Sequence, residues 1–328
     1  VLGSLATYLL GNPVLQYSIT IGVFLSSMGL GSFLSRFFEK DLVATFVRIE
    51  IALGFVGGVS VLVLSALFSF SASFYLLHVF FLVIIGAMVG LEIPLLTRIL
   101  KSSGSLRDIL ASVLSLDYLG GLAGSLLFPL VLFPFAGRLL ASFVIGMINA
   151  AVALLVIIKV PYKGRRGADM AAAVLCVLFL TAAALSSNEI NSILQKRLYY
   201  DDIVYSKRSR YQEIVLTRNG EDFRLYLSGS LQFSTVDEYR YHEMLVYPAL
   251  LMGSEPPRTV LVMGGGDGLA VRDILKVDSV ASITLVELDK AVVDLATTNP
   301  SFLRINGNSL GERRVDRKST RLNSSHES

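Results

Sequence analysis

Residues 260–276 read VLVMGGGDGLAVRDILK. An apolar run gives way to a turn of glycines and one aspartate, and an amphipathic stretch follows. Gly264, Gly266 and Gly268 stand in G-x-G-x-G spacing. Such a turn lets the backbone approach a nucleotide-like ligand with no side chain in the way. Glu287, about 20 residues further on at the end of SITLVELD, is spaced to take ribose hydroxyls. A dinucleotide fits poorly. The third glycine of G-x-G-x-x-G is replaced by Leu269, and Asp267 would repel a pyrophosphate. An adenosine ligand with a positive group near the turn fits better, which is the profile of a sulfonium donor such as S-adenosylmethionine or its decarboxylated form.

The elements around the turn are those that would hold it. TVLVM reads as a buried strand, LAVRDILK as the start of a helix and SITLVELD as a second strand. Together they make a β-turn-α-β unit, the opening of a doubly wound sheet. Upstream, YQEIVLTR and FRLYLSG flank NGED, an Asn-Gly hairpin signal. VDEYRYHEMLVYPALL has helical spacing, and SEPPR ends it. Asp237 and Glu238 read as charge at the start of that helix and are left out of the site. Residues 188–210 read as a connector with a short helix.

The sequence before residue 188 is of a different kind. The chain of 328 residues is 53% hydrophobic and only 17% charged, with no tryptophan. A soluble domain carries about 25% charge. A spanning helix needs about 20 apolar residues. Residues 1–10 read as the tail of one span, and complete spans are expected at 14–35, 42–68, 74–97, 109–133, 139–158 and 169–186. Glycines repeat at four-residue spacing within them, at 54 and 58, 86 and 90, and 120 and 124. That spacing predicts close helix packing. The net charge of +3 is dispersed, which argues against nucleic-acid binding, and the single cysteine, Cys176, excludes an internal disulfide. No metal cluster is expected.

Arg48, Glu50, Glu92 and Asp117 fall within these spans. An ionised group in hydrocarbon costs at least about 2.5 kcal/mol, so such groups pair or line a polar pathway. Pairing of Glu50 with Arg48 or a neighbouring helix is the simpler expectation, and a cation pathway is the other. Lys and Arg crowd 36–41, 98–107 and 159–166, whereas 69–73 has none. The positive-inside rule puts the first set in the cytoplasm. Basic residues at 196–210 pull the other way, so the side of the soluble half stays open.

The motifs YQEIVLTR, LYLSGSLQFSTVDEYRYHEMLVYPAL, VLVMGGGDGLAVRDILK and LVELDKAVV resemble the spermidine synthase (polyamine aminopropyltransferase) family in order and spacing over about residues 205–310. TYLLGNPVLQYSITIG, GLEIPLLTRIL and LSLDYLGGLAGSLLFPLVLFP resemble the helical part of its multi-pass bacterial members. The expected architecture is a multi-pass α-helical membrane domain at 1–187, a linker at 188–210 and an α/β domain. The last comprises a small β-hairpin part at 211–258 and the start of a Rossmann-like, methyltransferase-type doubly wound sheet at 259–314.

The resemblance implies transfer of the aminopropyl group of decarboxylated S-adenosylmethionine, as co-substrate, to putrescine, without metal or other cofactor. It implies that Gln212, Glu287, Gly264 and Gly266 bind the methylthioadenosine part, and that His242, Asp267, Tyr241 and Gln232 line the polyamine and aminopropyl cleft. Association of copies is implied by soluble relatives. A polyamine transporter or sensor and an S-adenosylmethionine-dependent methyltransferase are the alternatives. Two features depart from the family. Ser228 stands where members carry an acid in L-D-G, and the sequence after about Val315 shows no strand period and reads as foreign. The family's catalytic aspartate would follow that point, so the chain is expected to be truncated at both ends, without its catalytic base and inactive, and its sheet to stop after two strands.

Overall fold

The computed structural model describes residues 1–68, 74–101, 104–161, 163–199, 201–253 and 255–319. The chain divides into two compact units, Val1–Tyr200 and Asp201–Ser328. The connection at 69–73 and the end of the polar tail, from residue 320, lie outside the described residues.

The first unit is helical: α1 (Leu2–Leu10), α2 (Pro13–Leu34), α3 (Leu42–Phe68), α4 (Phe74–Leu100), α5 (Leu106–Leu127), α6 (Phe133–Lys159), α7 (Arg166–Leu185) and α8 (Ser187–Tyr199). Five helical stretches among the described residues are long and apolar enough to cross a membrane. Six were expected. The fourth and fifth merge because Leu106–Lys159 runs as one helical stretch, through a π turn at Phe128–Leu132. Its path breaks at Gly137 (φ 71°, ψ −174°), a conformation only glycine adopts without strain.

Two of the three glycine pairs seat neighbouring backbones. A Cβ at Gly54 would lie 2.7 Å from the carbonyl oxygen of Gly146 on α6. At Gly86 it would lie 2.8 Å from the Ser27 side chain, and at Gly90 it would collide with the Met28 backbone of α2. The third pair does not follow the pattern. Gly120 and Gly124 have nothing within 4 Å of such a Cβ, and α5 leaves Leu116, Leu119 and Leu122 exposed. The partner described for Arg48 is not Glu50. Arg48 reaches across to α7, where Nε and Nη2 donate to the Asp169 carboxylate at 3.0 and 3.2 Å. Cys176 is buried, as an apolar run dictates.

The second unit carries β1 (Asp202–Arg208), β2 (Glu213–Asn219), β3 (Asp222–Leu227), β4 (Ser230–Ser234), α9 (Glu238–Leu251), β5 (Thr259–Met263), α10 (Leu269–Ile274), β6 (Ser282–Glu287), α11 (Lys290–Thr298), α12 (Pro300–Ile305) and β7 (Val315–Ser319). The first four strands form an antiparallel sheet in chain order, and β5-β6-β7 a parallel one. The expected hairpin is β2–β3. Asn219 pairs with Asp222, and Gly220 (φ 63°) takes the first loop position. A hairpin of this kind places glycine there for its positive φ. Leu216, Leu225, Phe233, Val246, Leu269, Ile283 and Phe302 join one core.

Two strands were not expected. β1 lies in the connector, where alternate residues pack onto β2 despite their polar neighbours. β7 lies in the supposed tail. Its residues pair with β6 from Ile283–Val315 to Glu287–Ser319, so β6 is flanked on both edges and the sheet has three strands rather than two. The polar sequence hides this strand because it is an outer one, which need not alternate.

The glycine contacts predict an asymmetry. Gly54→Val is expected to destabilise the helical unit by about 1–3 kcal/mol, the usual cost of overpacking, because a carbonyl oxygen cannot yield as a side chain can. Gly124→Val is expected to be neutral. Thermal unfolding of both variants in detergent checks the contrast.

Candidate active site

The turn between β5 and α10 is built by conformations that side chains avoid. Gly264, Gly265 and Gly268 have φ of 82°, 75° and 81°. The Gly264 N–H donates to Val286 O at 2.9 Å, which fastens the turn to the neighbouring strand. Gly266 is needed for another reason. Its N–H donates to Glu287 Oε2 at 2.9 Å, and a Cβ there would lie 2.8 Å from Glu287 Cγ. The other oxygen of Glu287 accepts from Asp289 N at 2.9 Å. A carboxylate oxygen has two acceptor positions, so both keep capacity for a ligand hydroxyl. From behind, Asn306 Nδ2 donates to Asp267 O at 3.0 Å and Ser309 Oγ to Gly268 O at 2.6 Å.

Asp289 carries the arrangement to the antiparallel sheet. Its carboxylate accepts from Ser209 Oγ at 2.6 Å, and Ser209 Oγ accepts in turn from the N–H groups of Tyr211 and Gln212 at 3.0 Å each. The loop that carries Gln212 is thereby tied to the residue two beyond Glu287.

Asp267 is half-buried, and its Oδ1 accepts from Leu269 N at 2.8 Å. Burial pushes its carboxyl above the ordinary aspartate range. The Leu269 hydrogen bond and the nearby His242 oppose the rise, while Glu287 and Glu238 add to it. His242, buried on α9, donates from Nδ1 to Glu238, with both the carboxylate and the backbone oxygen at 2.9 Å. Arg272 on α10 holds Glu238 in turn, Nη1 to Oε1 at 2.9 Å and Nη2 to Oε2 at 3.1 Å. The Tyr241 ring meets the His242 ring edge-on, centroids 5.1 Å apart.

Of the residues singled out from sequence, Gly264, Gly266, Asp267, Glu287 and His242 thus converge, and Gln212 is tethered beside them. Tyr241 is exposed next to His242. Gln232 stands apart among the described bonds, its Nε2 donating only to Ser230 O of its own strand at 3.1 Å. Glu238 had been set aside as helix-end charge and is instead the partner of His242. The i, i+4 spacing of the two residues was the available signal. Ser209, Arg272, Asp289 and Asn306 were also missed, since their partners lie far along the chain. No group of three or more His, Cys, Asp or Glu able to hold a metal occurs among the described residues.

Gly266→Ala is expected to displace the Glu287 carboxylate from the turn while the sheet stays folded. A crystal structure of the variant together with circular dichroism checks both halves of that expectation.

A family model for the spermine/spermidine synthase domain matches residues 238–316. A polyamine aminopropyltransferase of Leptospira interrogans is 44% identical over 315 residues, covering 95% of this chain and 63% of the relative. One of Oceanobacillus iheyensis is 41% identical over 323 residues, covering 96% and 62%. The chain therefore spans about three fifths of the length of these relatives. A solved spermidine synthase in complex with the transition state analogue AdoDATO aligns over 36% of this chain and 40% of its own, at 30% identity and a TM-score of 0.34, too partial a likeness to bear on the fold. With matches along both the helical and the α/β unit, the chain is similar over nearly its whole length to polyamine aminopropyltransferases.

Proposed function

We propose that the protein is a membrane-anchored aminopropyltransferase that uses decarboxylated S-adenosylmethionine and passes its aminopropyl group to putrescine. The observation that supports this most is the half-buried Asp267 carboxylate at the glycine turn. Decarboxylation leaves the donor with an ammonium arm, which a carboxylate in low dielectric attracts. Intact S-adenosylmethionine brings its own carboxylate, which Asp267 repels, so a methyltransferase is disfavoured.

In this reading Glu287 takes the ribose hydroxyls and Gln212 contacts the methylthioadenosine part. A cavity of about 360 Å³ opens beside Glu287 between β6, β7 and α11, within the size range of small-molecule sites. His242, oriented by Glu238, and Tyr241 face the amines. Gln232 joins them only if its side chain leaves the Ser230 carbonyl. The nitrogen lone pair of putrescine attacks the methylene bonded to the sulfonium. The carbon–sulfur bond breaks, its electron pair neutralises the sulfur, and methylthioadenosine leaves. The new ammonium then releases a proton to a base. Positioning of the two amines accounts for much of the rate. No residue of this sequence is assigned as that base. The five long apolar helices, with leucines exposed along α5, support the membrane anchor.

Calorimetry on the chain in lipid nanodiscs tests the reading. Decarboxylated donor is expected to bind more tightly than intact S-adenosylmethionine. Asp267→Asn is expected to erase the preference at a cost of roughly 10- to 100-fold, the worth of one charge-assisted contact of about 1.5–3 kcal/mol. Equal affinity for both donors in the parent chain would move the methyltransferase reading ahead.

The pH dependence carries a sign. The Asp267 pKa lies above the ordinary value of about 3.9, so the attractive charge is present at neutral pH and lost on acidification earlier than for an exposed aspartate. The expected loss of donor affinity therefore begins above pH 4 or so, and the part due to Asp267 vanishes in Asp267→Asn.

A further inference from the structure

Helices α3 and α7 leave a groove between them that the α/β site does not use. Its volume is about 480 Å³. Arg48, Ala52 and Phe55 line it from α3, and Asp169, Ala172, Leu175 and Phe179 from α7. Within each helix these residues recur at three- and four-residue steps, so a single face of each is turned to the groove. At one end Arg48 Nε donates to Asp169 Oδ1 at 3.0 Å. At the other the Phe55 and Phe179 rings meet, centroids 5.7 Å apart. Both helices therefore run the same way along the groove, charged end first.

The charged end is rich in cations. Residues 159–169 hold Lys159, Lys163, Arg165 and Arg166, all exposed, and a single acid, Asp169. Arg165 lies one turn before Asp169, its carbonyl accepting Asp169 N at 3.0 Å. The Arg48 side chain is 54% exposed, and a second bond to Asp169, from Nη2 at 3.2 Å, fixes the plane of its guanidinium at the groove mouth. The positive-inside rule puts this end at the cytoplasmic surface. The far end is of the opposite kind. Phe55, Leu175 and Phe179 are exposed large apolar side chains, and the small Ala52 and Ala172 leave room between them. Asp169 to Phe179 is ten residues, about 15 Å at 1.5 Å per residue and half of a hydrocarbon core about 30 Å thick. The groove thus has the depth of one leaflet.

We propose that this groove binds one anionic phospholipid of the cytoplasmic leaflet, with its phosphate at Arg48, Arg165 and Arg166 and an acyl chain between Phe55 and Phe179. Charge selects the headgroup. A guanidinium fork suits phosphate oxygens, and the surplus of cations repels the quaternary ammonium of phosphatidylcholine. Beyond the Arg48–Asp169 pair the lining is apolar, which suits an acyl chain and not a free anion. The inference rests on the membrane-anchor reading of the helical unit and is independent of the glycine turn.

The test exploits a chain without tryptophan. Phe179→Trp puts a single fluorophore in the groove, and Leu119→Trp puts one on the exposed face of α5 as a control. Each full-length variant is placed in phosphatidylcholine vesicles doped with brominated phosphatidylglycerol or brominated phosphatidylcholine, whose bromines quench tryptophan on contact. At position 179 the brominated phosphatidylglycerol is expected to quench at a mole fraction at least fivefold lower than the brominated phosphatidylcholine. At position 119 the two are expected to quench alike. Arg48→Gln is expected to remove the preference. Arg165→Gln/Arg166→Gln, which leaves the Arg48–Asp169 pair in place, is expected to reduce it at least twofold. Equal quenching by both lipids at 179, or a preference undiminished in both sets of variants, overturns the proposal. Quenching at 119 but not at 179 overturns the groove alone, whereas quenching at neither position overturns the membrane reading beneath it as well.

Discussion

The Glu287 carboxylate is the contact on which the α/β site depends. One oxygen takes the N–H of Gly266 and the other the N–H of Asp289. The first bond sets the glycine turn against the end of β6 and admits no side chain at residue 266. The second orients Asp289, whose own carboxylate anchors the 209–212 loop through Ser209. A single acid at a strand end thus fixes three segments that are remote in sequence. It does so with backbone donors that cannot rotate away, which is the kind of support a binding site requires if it is not to reorganise when ligand arrives.

Around that contact the charges are unequally compensated. Glu238 is held by Arg272 and His242, so its charge is balanced locally. Asp267 has one backbone N–H and the neighbourhood of His242, set against burial and two other acids. A cation beside Asp267 would relieve that imbalance, which is the charge argument behind the proposed ammonium-bearing donor. In the helical unit Arg48 and Asp169 neutralise one another across two helices.

Local features were legible in the sequence, and non-local ones were not. The β-turn-α-β unit could be read because the glycines, the flanking apolar runs and the distance to Glu287 are all encoded within 30 residues or so. The long helices could be read from their apolar length alone. By contrast, the glycine pair at 120 and 124 has the same spacing as the pairs at 54 and 58 and at 86 and 90. Only the presence or absence of a neighbouring backbone separates them. β1 and β7 are polar on alternate or most positions, and they are strands because β2 and β6 offer them ladders. Arg48 found Asp169 instead of the nearer Glu50, and Glu238 found Arg272, because ion pairs are chosen by tertiary approach and not by sequence distance. Ser228, which departs from the family's acid, sits with φ of 50° in the β3–β4 turn. Asp and Asn tolerate that region better than Ser, so the position has a backbone role alongside any contact with amines.

The most direct measurement is the identity of the products. The protein would be incubated in nanodiscs with decarboxylated S-adenosylmethionine and putrescine, and the mixture analysed by mass spectrometry. The account predicts methylthioadenosine and spermidine in equal amounts, with intact S-adenosylmethionine giving neither. Methylated putrescine and S-adenosylhomocysteine from the intact donor, with no aminopropyl transfer from the decarboxylated one, would contradict it.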